Sequence, residues 1–121
     1  MLHTPSTIGN LNIAVYEKPG KGIPIVFIHG SSSNAHAFEY IWDDPALNNF
    51  HLLAFDLPGH GDSQVASDLS DYAILSMSKR VAEFIDQKQL KDVVVVAHSL
   101  GGHLAIHALR FTNQVKGIML L

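Results

Sequence analysis

The sequence predicts an α/β protein, a mostly parallel sheet with helices on both faces. Three observations lead there. Four short apolar runs rich in β-branched residues, "IPIVFIH" (23–29), "FHLLAFDL" (50–57), "DVVVVA" (92–97) and "VKGIMLL" (115–121), read as buried strands. Segments with helical spacing lie between them. Glycine, proline and serine gather where the strands stop.

Each element follows from its residues. "STIGNLNIAVYE" (6–17) sets Ile8, Leu11, Ile13 and Val15 around Gly9-Asn10, the pattern of a hairpin or two short strands. "KPGKG" is a turn. After the 23–29 strand, Ser33 or Asn34 is placed to cap a short helix with Phe38, Ile41 and Trp42 on its inner face. The 50–57 strand runs into a loop, "PGHGDS". Ser70 or Asp71 then opens a helix reaching about Gln89. Its apolar positions are Ile74, Leu75, Val81, Phe84 and Ile85, with Lys79, Arg80, Glu83, Asp86 and Lys88 towards water. "LGGHLAIHALRF" (100–111) is a helix weakened by Gly101 and Gly102, and 115–121 closes the series as a strand.

Composition narrows the function classes. With 121 residues, 47% apolar and 16% charged, the chain has enough apolar material for one modest domain with a real core. A net charge of −3 and scattered Lys and Arg argue against nucleic acid as a partner. No run is long enough to span a bilayer, so no membrane partner is expected. The absence of cysteine excludes disulfides, thiolate metal sites and a cysteine nucleophile, and it fits a reducing compartment. "MLHTPSTIGN" lacks the basic start and apolar stretch of a signal peptide. A cytoplasmic protein is expected.

In parallel sheets ligands sit beyond the carboxyl ends of the strands, which directs attention to 29–34, 56–64 and 97–102. The last of these is the most informative. A strand ending at Ala97 and a helix beginning by Leu100 leave only a very tight turn, with Ser99 at its tip. Ala97 and Gly101, two positions either side, relieve crowding there. The helix start turns its free N–H groups and positive dipole end towards Ser99. The bland alternative for Ser99 is a helix cap. A hydroxyl on such a strand–turn–helix corner instead fits a nucleophile beside oxyanion donors.

"AHSLGG" (97–102) resembles the nucleophile elbow of the α/β-hydrolase fold family, with Ala97 where a glycine is usual. "FIHGSSSN" (27–34) resembles that family's His-Gly oxyanion loop, and "DLPGHGDS" (56–63) its Asp-x-Pro-Gly-x-Gly-x-Ser loop. The three occur in family order. The resemblance implies a serine hydrolase in which Ser99 attacks the carbonyl of a small acyl substrate, an ester, thioester, amide or activated carbon–carbon bond. It implies Leu100 and Ser31 as backbone oxyanion donors, with Ser32 in reserve, and His29, Gly30, Ala97, His98 and Gly101 in support. His98, the nucleophile's neighbour along the chain, is expected to pack or orient. His60 and Asp62 read as parts of a turn. No organic cofactor or metal is implied, and a serine at the elbow argues against the family branches that use aspartate there.

The same resemblance implies that the acid and histidine of a triad follow the nucleophile. The 22 residues after Ser99 contain no Asp or Glu, and their histidines, His103 and His107, lie on the helix just after the elbow. The chain therefore resembles the N-terminal half of such a domain, one partial domain over 1–121. Its last strand is expected to be an open apolar edge that needs the other half or a second chain. The alternative is a non-catalytic α/β module that keeps the elbow only as architecture.

Overall fold

The computed structural model describes residues Met1–Leu121. Strands β1 (His3–Ile8) and β2 (Leu11–Lys18) form the expected hairpin, with Ile8 opposite Leu11 across Gly9-Asn10. The four apolar runs become β3 (Pro24–Ile28), β4 (His51–Phe55), β5 (Val93–Ala97) and β6 (Val115–Leu120). All six join one sheet in the order β1-β2-β4-β3-β5-β6. β2 pairs antiparallel with β4; the pairs β4–β3, β3–β5 and β5–β6 are parallel. From β3 the chain adds β4 on one side and β5 on the other. Loops leaving β3 and β5 thus diverge at a switch in strand order, where such sheets form crevices.

The two sheet faces are covered unequally. On one face α2 (Ile74–Gln87) and α3 (Leu100–Ala108) press Met77, Val81, Phe84, Ile85, Leu104 and Ala105 onto Ile13, Val26, Ile28, Phe55, Val95 and Ala97. Phe84 stacks on Phe55 with ring centroids 4.6 Å apart. Burying each such side chain stabilises by roughly 1.5–3 kcal/mol. The opposite face carries only short pieces: a 3₁₀ turn, Ala35–Phe38, the single-turn α1 (Glu39–Trp42) and a second 3₁₀ turn, Pro45–Leu47. Phe38 and Trp42 cover Phe27 there, at 5.0 and 6.1 Å. This cover does not reach far across β5, so Val94 and Val96 are only half-buried. No helix of the chain is long and apolar enough to cross a membrane.

Three helical details differ from expectation. Asn34 does cap the first turn, accepting a hydrogen bond from His36 N–H, but the turn is 3₁₀ and Ile41 lies outward. Its rotation fits one aromatic pair, not a third side chain. The segment at Ser70 is likewise a separate 3₁₀ turn, Leu69–Tyr72, capped by Asp68. Ala73 is extended at ψ 145°, and α2 starts only at Ile74. Its first turn therefore precedes the core, leaving Ile74 and Leu75 largely exposed. Arg80, expected in water, is buried instead. It reaches back under the hairpin to the Ile8 carbonyl (2.5 Å) and to Asp71 (3.2 Å).

Candidate functional site

Ala97, the last residue of β5, is fully buried, and the chain turns abruptly over His98 and Ser99 into α3. Ser99 has φ 52° and ψ −119°, a left-handed conformation that a non-glycine residue adopts at a cost of roughly 1–3 kcal/mol. The turn is held by its surroundings. His98 N–H donates to the Ile28 carbonyl (3.0 Å), Gly101 N–H to the His98 carbonyl (2.9 Å) and Gly102 N–H to the Ser99 carbonyl (2.8 Å). Gly101 sits so close to the end of β3 that a Cβ there would lie 2.5 Å from the Ile28 carbonyl oxygen and 2.7 Å from that of His29. Only glycine permits this approach.

The Ser99 hydroxyl makes no capping hydrogen bond to α3. The serine is exposed, with its side chain outside the hydrogen-bonding of the helix it begins. Leu100, the first helical residue, has no carbonyl within its helix to receive its N–H. The cap alternative therefore does not account for a serine here.

The loop after β3 lies against this turn. A Cβ on Gly30 would stand 3.2 Å from Ser99 Cβ and 3.0 Å from His98 Nδ1, so Gly30 brings the two loops together. His29 is buried and fixes the loop's backbone. Its Nδ1–H donates to the Gly30 carbonyl (2.7 Å), and its Nε2 accepts the Leu57 N–H (3.0 Å). Accepting from Leu57 requires an unprotonated Nε2 and so the neutral ring. Burial, opposed in part by the bond to Gly30, and then the neighbouring His60 hold its pKa below the ordinary histidine value. Because the Gly30–Ser31 peptide is trans, anchoring the Gly30 carbonyl directs the Ser31 N–H the opposite way. That N–H has no acceptor within the chain, whereas the Ser32 N–H donates to His60 Nε2 (3.2 Å).

Asp56 organises the third loop, and sequence reasoning gave it no role of its own. It is fully buried and accepts from Ala35 N–H (2.8 Å), Asp62 N–H (2.9 Å) and the Tyr16 hydroxyl (3.3 Å). Ser63 Oγ donates to the Asp56 carbonyl (2.6 Å) and accepts from Ala14 N–H (2.9 Å). The signal lay in "DLPGHGDS": an acid at the end of a buried run has to find donors. Burial first, then the charge of Asp56 and its hydrogen bond, push the Tyr16 phenol up to about 12.

His98, expected to pack or orient, is exposed. It lines an open, largely apolar cleft of about 340 Å³ with Ala37, Phe38, Tyr40, Ile41 and Leu121. Ser99 and His103 share a second cleft of about 210 Å³ with Gly102, Ile106, Leu120 and Leu121. No carboxylate lines either cleft, and no histidine hydrogen-bonds to Ser99. The structure thus brings together Ser99, Leu100, Gly101, Gly30 and Ser31, and brings no acid–base pair to them.

Comparison with known proteins bears on the fold that carries these loops. A family model of the alpha/beta hydrolase fold matches residues 23–121. The AB hydrolase superfamily protein YisY of Bacillus subtilis is 33% identical over 90 residues, covering 74% of this chain and 33% of that protein. Among solved structures, a serine-to-glycine variant of the N-acyl homoserine lactonase AidH, complexed with N-hexanoyl homoserine lactone, superposes with a TM-score of 0.92. It is 30% identical and covers 99% of this chain and 45% of that one. The epoxide hydrolase VrEH1 of Vigna radiata superposes at 0.88, over 98% of this chain and 37% of that one, at 23% identity, a likeness of fold alone. The chain spans about a third of the length of the curated relatives it matches.

Proposed function

The chain belongs to the alpha/beta hydrolase fold family, and from that membership we propose that it carries the nucleophile and oxyanion loops of a serine hydrolase acting on small acyl substrates. The observation that carries the reading is Ser99 itself. A strained, exposed serine whose hydroxyl caps nothing is followed by the Leu100 N–H and lies against the loop that carries the Ser31 N–H, and neither N–H has an acceptor in the chain. In the proposed reaction Ser99 Oγ bonds to the substrate carbonyl carbon as its proton passes to a general base. The carbonyl oxygen, now negative, takes the Leu100 and Ser31 N–H groups. The bond to the leaving alcohol then breaks as the base returns the proton to it, and water releases the acyl group by the same steps. Each oxyanion donor contributes about 3–4 kcal/mol of barrier lowering.

The base and its orienting acid are proposed to come from outside these 121 residues, from further chain or a second chain. Residues 100–121 contain no Asp or Glu, and no histidine of the chain hydrogen-bonds to Ser99. The cytoplasm is the compartment this reading favours, since a chain without cysteine needs no oxidising one. The resemblance to a lactonase makes short acyl esters and lactones the first substrates to try.

A fluorophosphonate probe tests the reading on the protein assembled with its base-bearing part. Ser99 is expected to be labelled, and Ser99→Ala to remove the label. Absence of labelling in well-folded, assembled protein favours instead a non-catalytic module.

A further inference from the structure

We propose that His60 is a positioning residue for the oxyanion loop and holds that loop for acyl transfer only while its imidazole is neutral. The inference rests on the Ser99 reading above and adds to it the residue that sets the loop's shape and its response to acid.

The geometry is a clamp of two imidazoles on three residues. At one end His29 holds the Gly30 carbonyl. At the other end His60 holds the Ser32 N–H at 3.2 Å. Ser31, whose N–H is the proposed donor, lies between. The two rings pack on one another with centroids 5.1 Å apart at 51°. His60 Nδ1 lies 2.9 Å from the Pro58 carbonyl, which can only accept, so Nδ1 carries the proton and Nε2 is free to accept from Ser32. A second proton on the ring lands on Nε2. Two donors then face each other and the Ser32 bond is lost. Ser32 depends on that bond, because its φ of 59° is unfavourable for a serine.

The charged and titratable groups around His60 are few. His29 is the buried ring against it, its pKa held below the ordinary histidine value chiefly by burial. Asp56, at the end of β4, is already engaged by Ala35, Asp62 and Tyr16. Asp62, two residues along, points to His3 at 3.6 Å. The peptide carbonyl of Pro58 fixes one nitrogen of the ring, and the only group bound at the other is the Ser32 amide.

Two measurements decide it. In isotope-labelled wild-type protein, the Ser32 amide resonance and the His60 ring resonances are followed from about pH 8 to about pH 5, the range of histidine titration. The expected result is a Ser32 amide that shifts and loses exchange protection with the midpoint of the His60 ring. A Ser32 amide indifferent to His60 protonation overturns the proposal. This readout needs no activity, so a failure of Ser99 to react with a fluorophosphonate is a separate result about the site. In the assembled hydrolase, H60A is expected to lower kcat/KM by about tenfold to a hundredfold, chiefly through kcat. H60Q, whose amide oxygen accepts from Ser32 without titrating, is expected to restore most of the rate and to remove one proton from the acid limb of the pH profile. H60A at the wild-type rate, or H60Q with an unchanged acid limb, overturns the proposal. Where H60A does not fold, the wild-type resonances carry the decision.

Discussion

Single residues in this chain hold conformations that their neighbours impose. Ser99 is the clearest case, and it leads to a test in which stability and reactivity move oppositely. Ser99→Gly removes strain of roughly 1–3 kcal/mol, partly offset by the about 0.5–1 kcal/mol that glycine's freedom adds to the unfolded chain. Urea denaturation is therefore expected to show a variant at least as stable as wild type that no fluorophosphonate labels. Gly101→Ala goes the other way. Its Cβ meets two backbone carbonyls that cannot yield, so a loss on the order of 1–3 kcal/mol is expected in the same measurement. Tyr16 gives a pH dependence. Its folded pKa of about 12 lies above the ordinary 10.0, so the folded state keeps its proton where the unfolded state loses it. That contribution is complete below pH 10 and is lost as pH rises towards 12. Tyr16→Phe is expected to flatten the alkaline fall in the unfolding free energy.

At the scale of elements, burial overrules the pattern drawn from helical spacing in one instructive place. Arg80 was legible only as a charge facing water, yet α2 tucks it under the β1–β2 turn, where it reaches Ile8, Asn10 and Asp71. Its Nε has no partner at all, so the guanidinium is retained for its other bonds. Arg80→Ala is expected to destabilise by about 3 kcal/mol or more, since it leaves a buried carbonyl and Asp71 unpaired. Hydrogen exchange is expected to place the loss first in the hairpin and the start of α2. The strands were read more truly than the helices. A β-branched run bounded by turn residues leaves little choice, and all four runs fall within two residues of the observed strands at each end. The helix starts were displaced because Asp68 and Asn34 each cap a short 3₁₀ turn, and a cap signal does not say how long the helix after it will be.

For the whole molecule the unequal faces matter most. β6 ends the sheet with Met119 and Leu120 more than half exposed, followed by an equally open Leu121. On the adjacent β5, Val96, opposite Met119, and Val94, opposite Gly117, are only partly covered. An apolar strand with a free edge is a template for further pairing. The 121-residue chain alone is therefore expected to self-associate in light scattering, and Met119→Lys with Leu121→Lys to reduce that association. A chain that stays monomeric at high concentration would show that this edge needs no cover. Strand identity, the parallel region of the sheet and the tight corner at Ser99 were determined by the sequence alone. Each depends on residues close together in the chain, where sterics and hydrophobic runs act directly. The roles of Asp56, Tyr16 and Arg80, the left-handed Ser32 and the clamp of His29 and His60 were decided only by the tertiary structure. Each is a hydrogen bond or stack between loops far apart in sequence, and a buried polar group finds its partner through the packing of the sheet that brings those loops together.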